Sequence, residues 1–194
     1  MCEIKGILLK GNWRAGWALD LHTISSTHVI GSIFNTERTE IGELLYLLKY
    51  RFDKKTIEPL VQIACDFLKT RKVTPYLSAV IPVPPSDMDR DFQPVTELAK
   101  QIGASLSILV LENYLIKTRS TEVLKEIYDP ASRKQELHGA FRVTDNSMAG
   151  KKVLLFDDLY RSGETLKEIT KILYAEGLVE NVYVLTITKT RSKR

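Results

Sequence analysis

The sequence contains few of the residues that build metal centres or disulfide frameworks. Only 2 of its 194 residues are cysteine and 3 are histidine. Cys2 and Cys65 stand far apart, so they predict neither a zinc cluster nor a disulfide scaffold. Cys65 falls on the apolar face of a predicted helix and is expected to be a small core residue.

Long hydrophobic runs are also missing. No apolar stretch approaches the roughly 20 residues that span a bilayer, and the N-terminus shows no signal-peptide pattern. These absences predict no membrane association and a reducing, cytoplasmic location. Internal repeats and low-complexity segments are absent as well, so the pattern does not indicate a repeat protein.

The residues that are present are typical of an ordinary globular domain. Apolar residues make up 44% of the chain, charged residues 27%, and the net charge is +4. This mild basicity suits an anionic ligand, such as a phosphate ester, as well as it suits nucleic acid. The basic run 189–194 supplies much of the excess and is expected to be a solvated end.

The hydrophobic period changes after about residue 36. Residues 1–36 are predicted to form a small β-rich hood and residues 37–194 the main domain. Within the main domain, helices are predicted at 38–50, 55–69, 94–103 and 162–175, and buried strands at 77–83, 107–111, 153–156 and 182–187. Short buried strands separated by helices indicate an α/β fold with a mostly parallel central sheet flanked by helices. Ligands of such sheets bind at the carboxyl ends of the strands, here in the loops 82–92, 112–138 and 157–165.

One segment, 153–166, combines a buried strand, two acids, a tight turn and a helix. Asp157 and Asp158 follow the strand directly, where two adjacent carboxylates repel each other and are costly to desolvate. A polyol with paired hydroxyls, or a hydrated Mg²⁺, can satisfy them. The N–H groups of residues 160–165 can converge on an anion at the helix N-terminus, with the hydroxyls of Ser162 and Thr165 nearby.

These demands together favour a ribose 5-phosphate. The competing interpretation is that the acids begin a turn and Ser162 merely caps a helix. That interpretation would suffice for a bare Asp-Asp pair, but it leaves the rest of the pattern unexplained.

The segment resembles the phosphoribosyl pyrophosphate (PRPP) motif of type I phosphoribosyltransferases. The resemblance implies a type I phosphoribosyltransferase-like fold, in which Asp157 and Asp158 hold the ribose 2′- and 3′-hydroxyls. It implies that the 5-phosphate is bound by Tyr160, Arg161, Ser162, Gly163, Glu164 and Thr165. Arg161 departs from the pattern, since several purine enzymes of the group have an aspartate there. Glu164 also departs from it, by placing a carboxylate beside the expected phosphate.

A stretch with prolines, an arginine and an aromatic residue before a helix lies at 81–95, and a second stretch, from an arginine to Gly-Ala-Phe, lies at 133–141. Both resemble the ComF-like, competence-associated branch of that superfamily. The resemblance implies that the pyrophosphate is contacted by Pro84, Pro85, Ser86, Arg90 and Arg133. It makes Lys117 and Arg119, at the start of a mobile catalytic loop, candidate catalytic residues beside the two acids. Many relatives begin with a cysteine-rich zinc segment that this chain lacks, so no structural zinc is expected. Trp13 and Trp17, which lie in its place, are expected to be core residues.

The implied reaction transfers the 5-phosphoribosyl group of PRPP to a nitrogen base or amine and releases pyrophosphate. Mg²⁺ would be the cofactor, bound through PRPP and reaching Asp157 or Asp158 through water. Residues 112–138 would act as a lid that keeps water out. The accepting base is not legible in the sequence.

Two other functions stay open. One is a non-catalytic PRPP sensor or regulator, which the departures at Arg161 and Glu164 favour. The other is a DNA-uptake protein that binds nucleic acid, which the basic run 189–194 favours. A homodimer is the default implied by the resemblance.

Overall fold

The computed structural model describes residues 4–30, 33–85, 91–118, 137 and 139–191. For residues 28–30 and 33–35 it describes the backbone alone.

A six-stranded sheet forms the centre of the molecule. Its strands, in spatial order, are β1 (Ile7–Leu8), β2 (Ala15–Leu21), β10 (Asn181–Lys189), β9 (Lys152–Tyr160), β5 (Ala79–Pro82) and β6 (Leu109–Val110). Every neighbouring pair is parallel except β1 with β2. The innermost strands are apolar on both faces, as expected of a parallel sheet covered on both sides.

Helices cover the two faces unequally. The helices α1 (Glu40–Tyr50), α2 (Ile57–Lys69) and α3 (Pro94–Leu106) pack on one face. The helix α4 (Glu164–Ala175) packs on the other face with a small antiparallel pair, β7 (Leu115–Lys117) and β8 (Phe141–Val143). None of the helices in the described ranges has the length and apolar character needed to cross a membrane.

The order in which the chain adds strands to the sheet reverses between β5 and β9. From β5 it passes through α3 to the adjacent β6, and from β9 it passes through α4 to the adjacent β10, on the opposite side. The loops after β5 and β9 therefore diverge to opposite faces and leave a crevice at their carboxyl ends. Such a switch point is where open α/β sheets bind ligands.

The predicted fold class is confirmed, since the structure is mixed α/β with a mostly parallel central sheet. Within the predicted hood 1–36, β1 and β2 belong to this sheet, because β2 pairs in parallel with β10 from Tyr183 to Lys189. A hairpin apart from it is formed by β3 (Thr23–Ile30) and β4 (Ile33–Arg38). Trp13, Trp17 and Cys65 are buried, as predicted.

Two predicted element ends were wrong. The strand predicted at 153–156 continues to Tyr160, because β10 pairs with it through Tyr160. The helix predicted to stop at Gly103 continues to Leu106 and ends at Ser107, which adopts a left-handed conformation with φ 55°. Gly103 is instead a close-packing position: a Cβ atom there would lie 2.2 Å from Val110 Cγ2 and 2.8 Å from the Ile108 carbonyl oxygen.

We predict that Gly103→Ala destabilises the protein although alanine is the better helix former. The clash with Val110 and the Ile108 carbonyl should cost about 1–3 kcal/mol, against a propensity gain of about 1 kcal/mol or less. Ala104→Gly, at the exposed neighbouring position, measures the propensity contribution in the same helix. Urea unfolding of the three proteins tests this, and a more stable Gly103→Ala variant would contradict it.

Candidate functional site

Asp157 and Asp158 lie in the second half of β9, just beyond the end of β5. Pro82, the last residue of β5, is in register with Phe156, and the Val83 N–H donates to the Phe156 carbonyl at 2.9 Å. Successive side chains of a strand point to opposite faces. Leu155 belongs to the core on the α4 face and Phe156 to the core on the α1 face. Asp157 therefore points toward α4 and Asp158 toward α1.

Asp158 is paired with a lysine that the sequence did not identify. Lys49 Nζ, from the last turn of α1, lies 2.5 Å from Asp158 Oδ2. The side chains of Lys49 and Asp158 are only 22% and 10% exposed, so water screens this pair weakly. Burial lowers the pKa of Lys49, but the charge and hydrogen bond of Asp158 outweigh it and leave that pKa raised. Lys49 is therefore a fixed cation at the acid pair.

Among the residues that the structure describes, none supplies Asp157 with a counter-ion in contact. Its side chain accepts a hydrogen bond from the Asp158 backbone N–H at 2.8 Å. Burial, and then the neighbouring Asp158 carboxylate, raise the pKa of Asp157 to about 7, against the opposing influence of Lys49. The pair is thus unequal: one carboxylate is held by an ammonium group, and the other exchanges its proton near neutral pH.

His22 lies near this group of charges and is itself neutral. Its Nδ1 atom lies 3.2 Å from the Thr188 hydroxyl of β10. Burial lowers the pKa of His22, and the positive charges of Arg38 and Lys49 lower it further. His22 is therefore uncharged at neutral pH and adds no positive charge beside Lys49.

The predicted phosphate-binding turn connects β9 to α4. Gly163 sits at the N-cap of α4 with φ 80°, and no side chain caps the helix there. Arg161 and Ser162 are exposed, and Thr165 is half-buried. An uncapped helix start in this setting leaves backbone N–H groups free to bind an anion.

An aromatic pair supports the turn from below. A Cβ atom on Gly163 would lie 2.6 Å from the Tyr160 ring, so the glycine allows the ring to fit beneath the turn. The Tyr160 ring meets the edge of Trp13 at a centroid distance of 6.4 Å. The Trp13 indole N–H donates to the Leu9 carbonyl at 3.1 Å. The N-terminal segment of the chain thereby supports the turn between β9 and α4.

Glu164 is directed away from the turn by a neighbour on its own helix. Its Oε1 atom lies 2.6 Å from Lys167 Nζ. The Glu164 carboxylate, which departs from the expected motif, is therefore paired with Lys167, one helical turn along α4.

The remaining predicted residues fall into two groups. Pro84 and Pro85 follow β5 at the crevice, and Lys117 ends β7 on the α4 side of the sheet. Ser86, Arg90, Arg119 and Arg133 lie outside the described residues, so their predicted roles stay predictions.

Sequence reasoning missed Lys49 and the structural part played by Trp13. A lysine in the last turn of a helix is common because it complements the helix dipole, so Lys49 carried no separate signal. Within the described ranges, no three His, Cys, Asp or Glu side chains come together as a metal site.

We predict that Asp157→Asn stabilises the protein more at about pH 8 than at about pH 5. The pKa of Asp157 rises from 3.8 to about 7 on folding. The folded state therefore holds an extra proton between these values, and its stability falls as pH rises through the upper one. The neutral amide of the Asp157→Asn variant removes this loss of stability. Thermal unfolding of both proteins at the two pH values measures the difference.

Asp145→Asn is the matched control for this prediction. Hydrogen bonds from Ser147 lower the pKa of Asp145, so its ionised form stabilises the fold above the ordinary carboxyl pKa. The same chemical change there should destabilise the protein at the higher pH. An Asp157→Asn effect equal at both pH values would contradict the protonation described above.

Comparison with known proteins shows similarity to Competence protein F and to phosphoribosyltransferases. The chain is 28% identical to Competence protein F of Haemophilus influenzae over 131 residues, which cover 65% of this chain and 57% of that protein. Among solved structures, glutamine PRPP amidotransferase from B. subtilis matches with a TM-score of 0.49 and 18% identity, over 79% of this chain and 34% of that one. Adenine phosphoribosyltransferase from Leishmania donovani matches with a TM-score of 0.48 and 13% identity, over 88% and 63%. No family model matches the chain.

Proposed function

We propose that the protein binds PRPP and transfers its 5-phosphoribosyl group to a nitrogen nucleophile, with release of pyrophosphate. The observation that carries the proposal is the composition of one continuous strand, turn and helix at the switch point of the sheet. It presents Asp157 and Asp158 at one end and the uncapped start of α4 at the other. Vicinal hydroxyls suit the first end and a phosphate group suits the second.

The reaction requires the crevice to hold both the ribose ring and the pyrophosphate group of PRPP. A C–N bond forms at C1 of the ribose as the bond from C1 to the pyrophosphate oxygen breaks, and the nitrogen gives up a proton. Positive charge develops on the sugar ring, as in glycoside cleavage. The carboxylates beside the ring stabilise that charge and fix the orientation of the sugar.

The pyrophosphate side is assigned to segments around the crevice. Pro84 and Pro85 lie at its edge, and Ser86 and Arg90 follow them in sequence. Lys117 leads from β7 toward Arg119 and Arg133, which would supply positive charge to the leaving group. We propose that 112–138 closes as a lid and that the β3–β4 hairpin serves as the hood.

The residues of this site suit a magnesium ion that binds together with PRPP. Asp158 is already paired with Lys49, and the described residues offer no cluster of three metal ligands. We therefore propose that pyrophosphate oxygens hold the ion and that Asp157 or Asp158 reaches it through water. When bound, the ion would neutralise charge on the departing pyrophosphate.

The test is calorimetric titration of PRPP, with Mg²⁺, into the protein. We expect saturable binding that Asp157→Asn/Asp158→Asn abolishes, because the hydroxyls of the ribose lose both charged acceptors. Asp66→Asn, which removes an exposed carboxylate from α2, should bind as the unaltered protein does.

The outcomes separate the three functions considered. Binding followed by pyrophosphate release with some nitrogen compound supports the transferase. Binding without release from any of a broad set of bases and amines favours a PRPP sensor. No binding at millimolar PRPP would refute both and leave nucleic-acid binding, recognised by its steep dependence on salt.

A second prediction concerns the turn. Gly163→Ala should weaken binding of ribose 5-phosphate by about tenfold or more, the effect of roughly 1.4 kcal/mol, because the new Cβ displaces the Tyr160 ring or the turn. Gly150→Ala is the matched control, since Gly150 also has a positive φ, of 67°, but no atom within 4 Å of a Cβ. Both changes strain the backbone, but only Gly163→Ala should change the affinity measured by calorimetry.

A further inference from the structure

The ion pair between Lys49 and Asp158 differs from the other ion pairs described. Both partners are largely shielded from water, and they join α1 to the charged end of β9 at 2.5 Å. In contrast, Lys100 and Glu112 are 47% and 39% exposed at 3.0 Å. An exposed pair contributes little to stability or geometry, whereas a shielded pair fixes the orientation of both groups.

The helix dipole alone does not account for the position of Lys49. A lysine in the last turn satisfies the dipole while its ammonium group stays in water. Lys49 instead directs its ammonium group inward, to a carboxylate that is 10% exposed. Because Lys49 contacts one acid of the pair, it affects the orientation and charge that the pair presents to a ligand.

We propose that Lys49 is a positioning residue of the ribose-binding end, which holds the Asp158 side chain turned toward α1 and leaves Asp157 as the member of the pair that changes protonation when a ribose 5-phosphate binds. This inference rests on the proposed function. The ribose hydroxyls donate hydrogen bonds, and an ionised carboxylate accepts them better than a protonated one does. Binding therefore favours loss of the proton from Asp157, and affinity should rise with pH.

The charges around Asp157 come from few sources. Asp158 and Lys49 act on it directly. The described elements packed around β9 otherwise present His22, which is neutral near pH 7, the exposed Arg161, Glu164 paired with Lys167, and Lys117 at the end of β7. The described part of β5 and its continuation, 79–85, contains no titratable side chain, and the stretch of β10 opposite the acids contains Thr186 and Thr188. Among the described residues, Lys49 is the cation that lowers the pKa of Asp157.

The experiment is calorimetric titration of ribose 5-phosphate from about pH 6 to pH 8.5. Asp157→Asn reports the pH dependence that belongs to the ligand's own phosphate, whose second pKa is about 6. The difference between the unaltered protein and this variant gives the midpoint due to Asp157.

Lys49→Met should move that midpoint to higher pH and weaken binding at about pH 7 several-fold, because a smaller fraction of Asp157 is then ionised. Removing the lysine charge makes ionisation of Asp157 harder, because Lys49 lowers the pKa of that carboxyl. Lys49→Arg, which keeps the charge, should retain the midpoint. Lys100→Met, which breaks the exposed pair, should behave as the unaltered protein.

The outcomes distinguish this inference from the function on which it rests. If the unaltered protein binds and Lys49→Met binds with the same affinity and midpoint, the role of Lys49 is refuted and the site is not. If the unaltered protein does not bind at millimolar ligand, both are refuted. Should Lys49→Met fail to fold, judged by circular dichroism, Lys49→Gln carries the same test with a polar side chain.

Discussion

Strand β9 must combine an apolar run, residues 153–156, with the two acids Asp157 and Asp158 that follow it, and the molecule is built around this requirement. Its first half lies between two parallel neighbours and is covered on both faces, so only apolar side chains fit there. Its second half extends beyond β5, where the cover on one edge ends. A carboxyl group can stand at that point because it is paired with a cation, as Asp158 is, or because it can hold a proton near neutral pH, as Asp157 does.

The two acids meet this requirement differently because they face different layers. Asp158 points toward α1, which supplies a lysine, while Asp157 points toward α4 and contacts no cation of the described ranges. Two residues of the same type, adjacent in sequence, thereby acquire different protonation behaviour. The difference comes from the layers of the fold and not from the strand that carries them.

The sequence predicted the fold class and the strand, turn and helix of the candidate site because these depend on local patterns. Apolar runs, a glycine and paired acids within fourteen residues are legible without any tertiary contact. The pairing of β2 with β10 was not predicted, because it joins residues 15–21 to residues 181–189 and local periodicity cannot show it. Lys49 was missed for the same reason. Gly103 misled the prediction, because a glycine that stops a helix and a glycine that lets a strand approach the helix look alike in sequence.

The neighbouring position of β2 and β10 also bears on how the protein folds during synthesis. During synthesis β2, residues 15–21, leaves the ribosome well before its parallel partner β10, residues 181–189. Until β10 emerges, both β2 and β9 expose an unpaired apolar edge, which is a site for chaperones or for aggregation. The charged end of β9 also gains its partner strand only then. The ligand crevice is therefore completed late, and sheets with such distant pairings fold slowly.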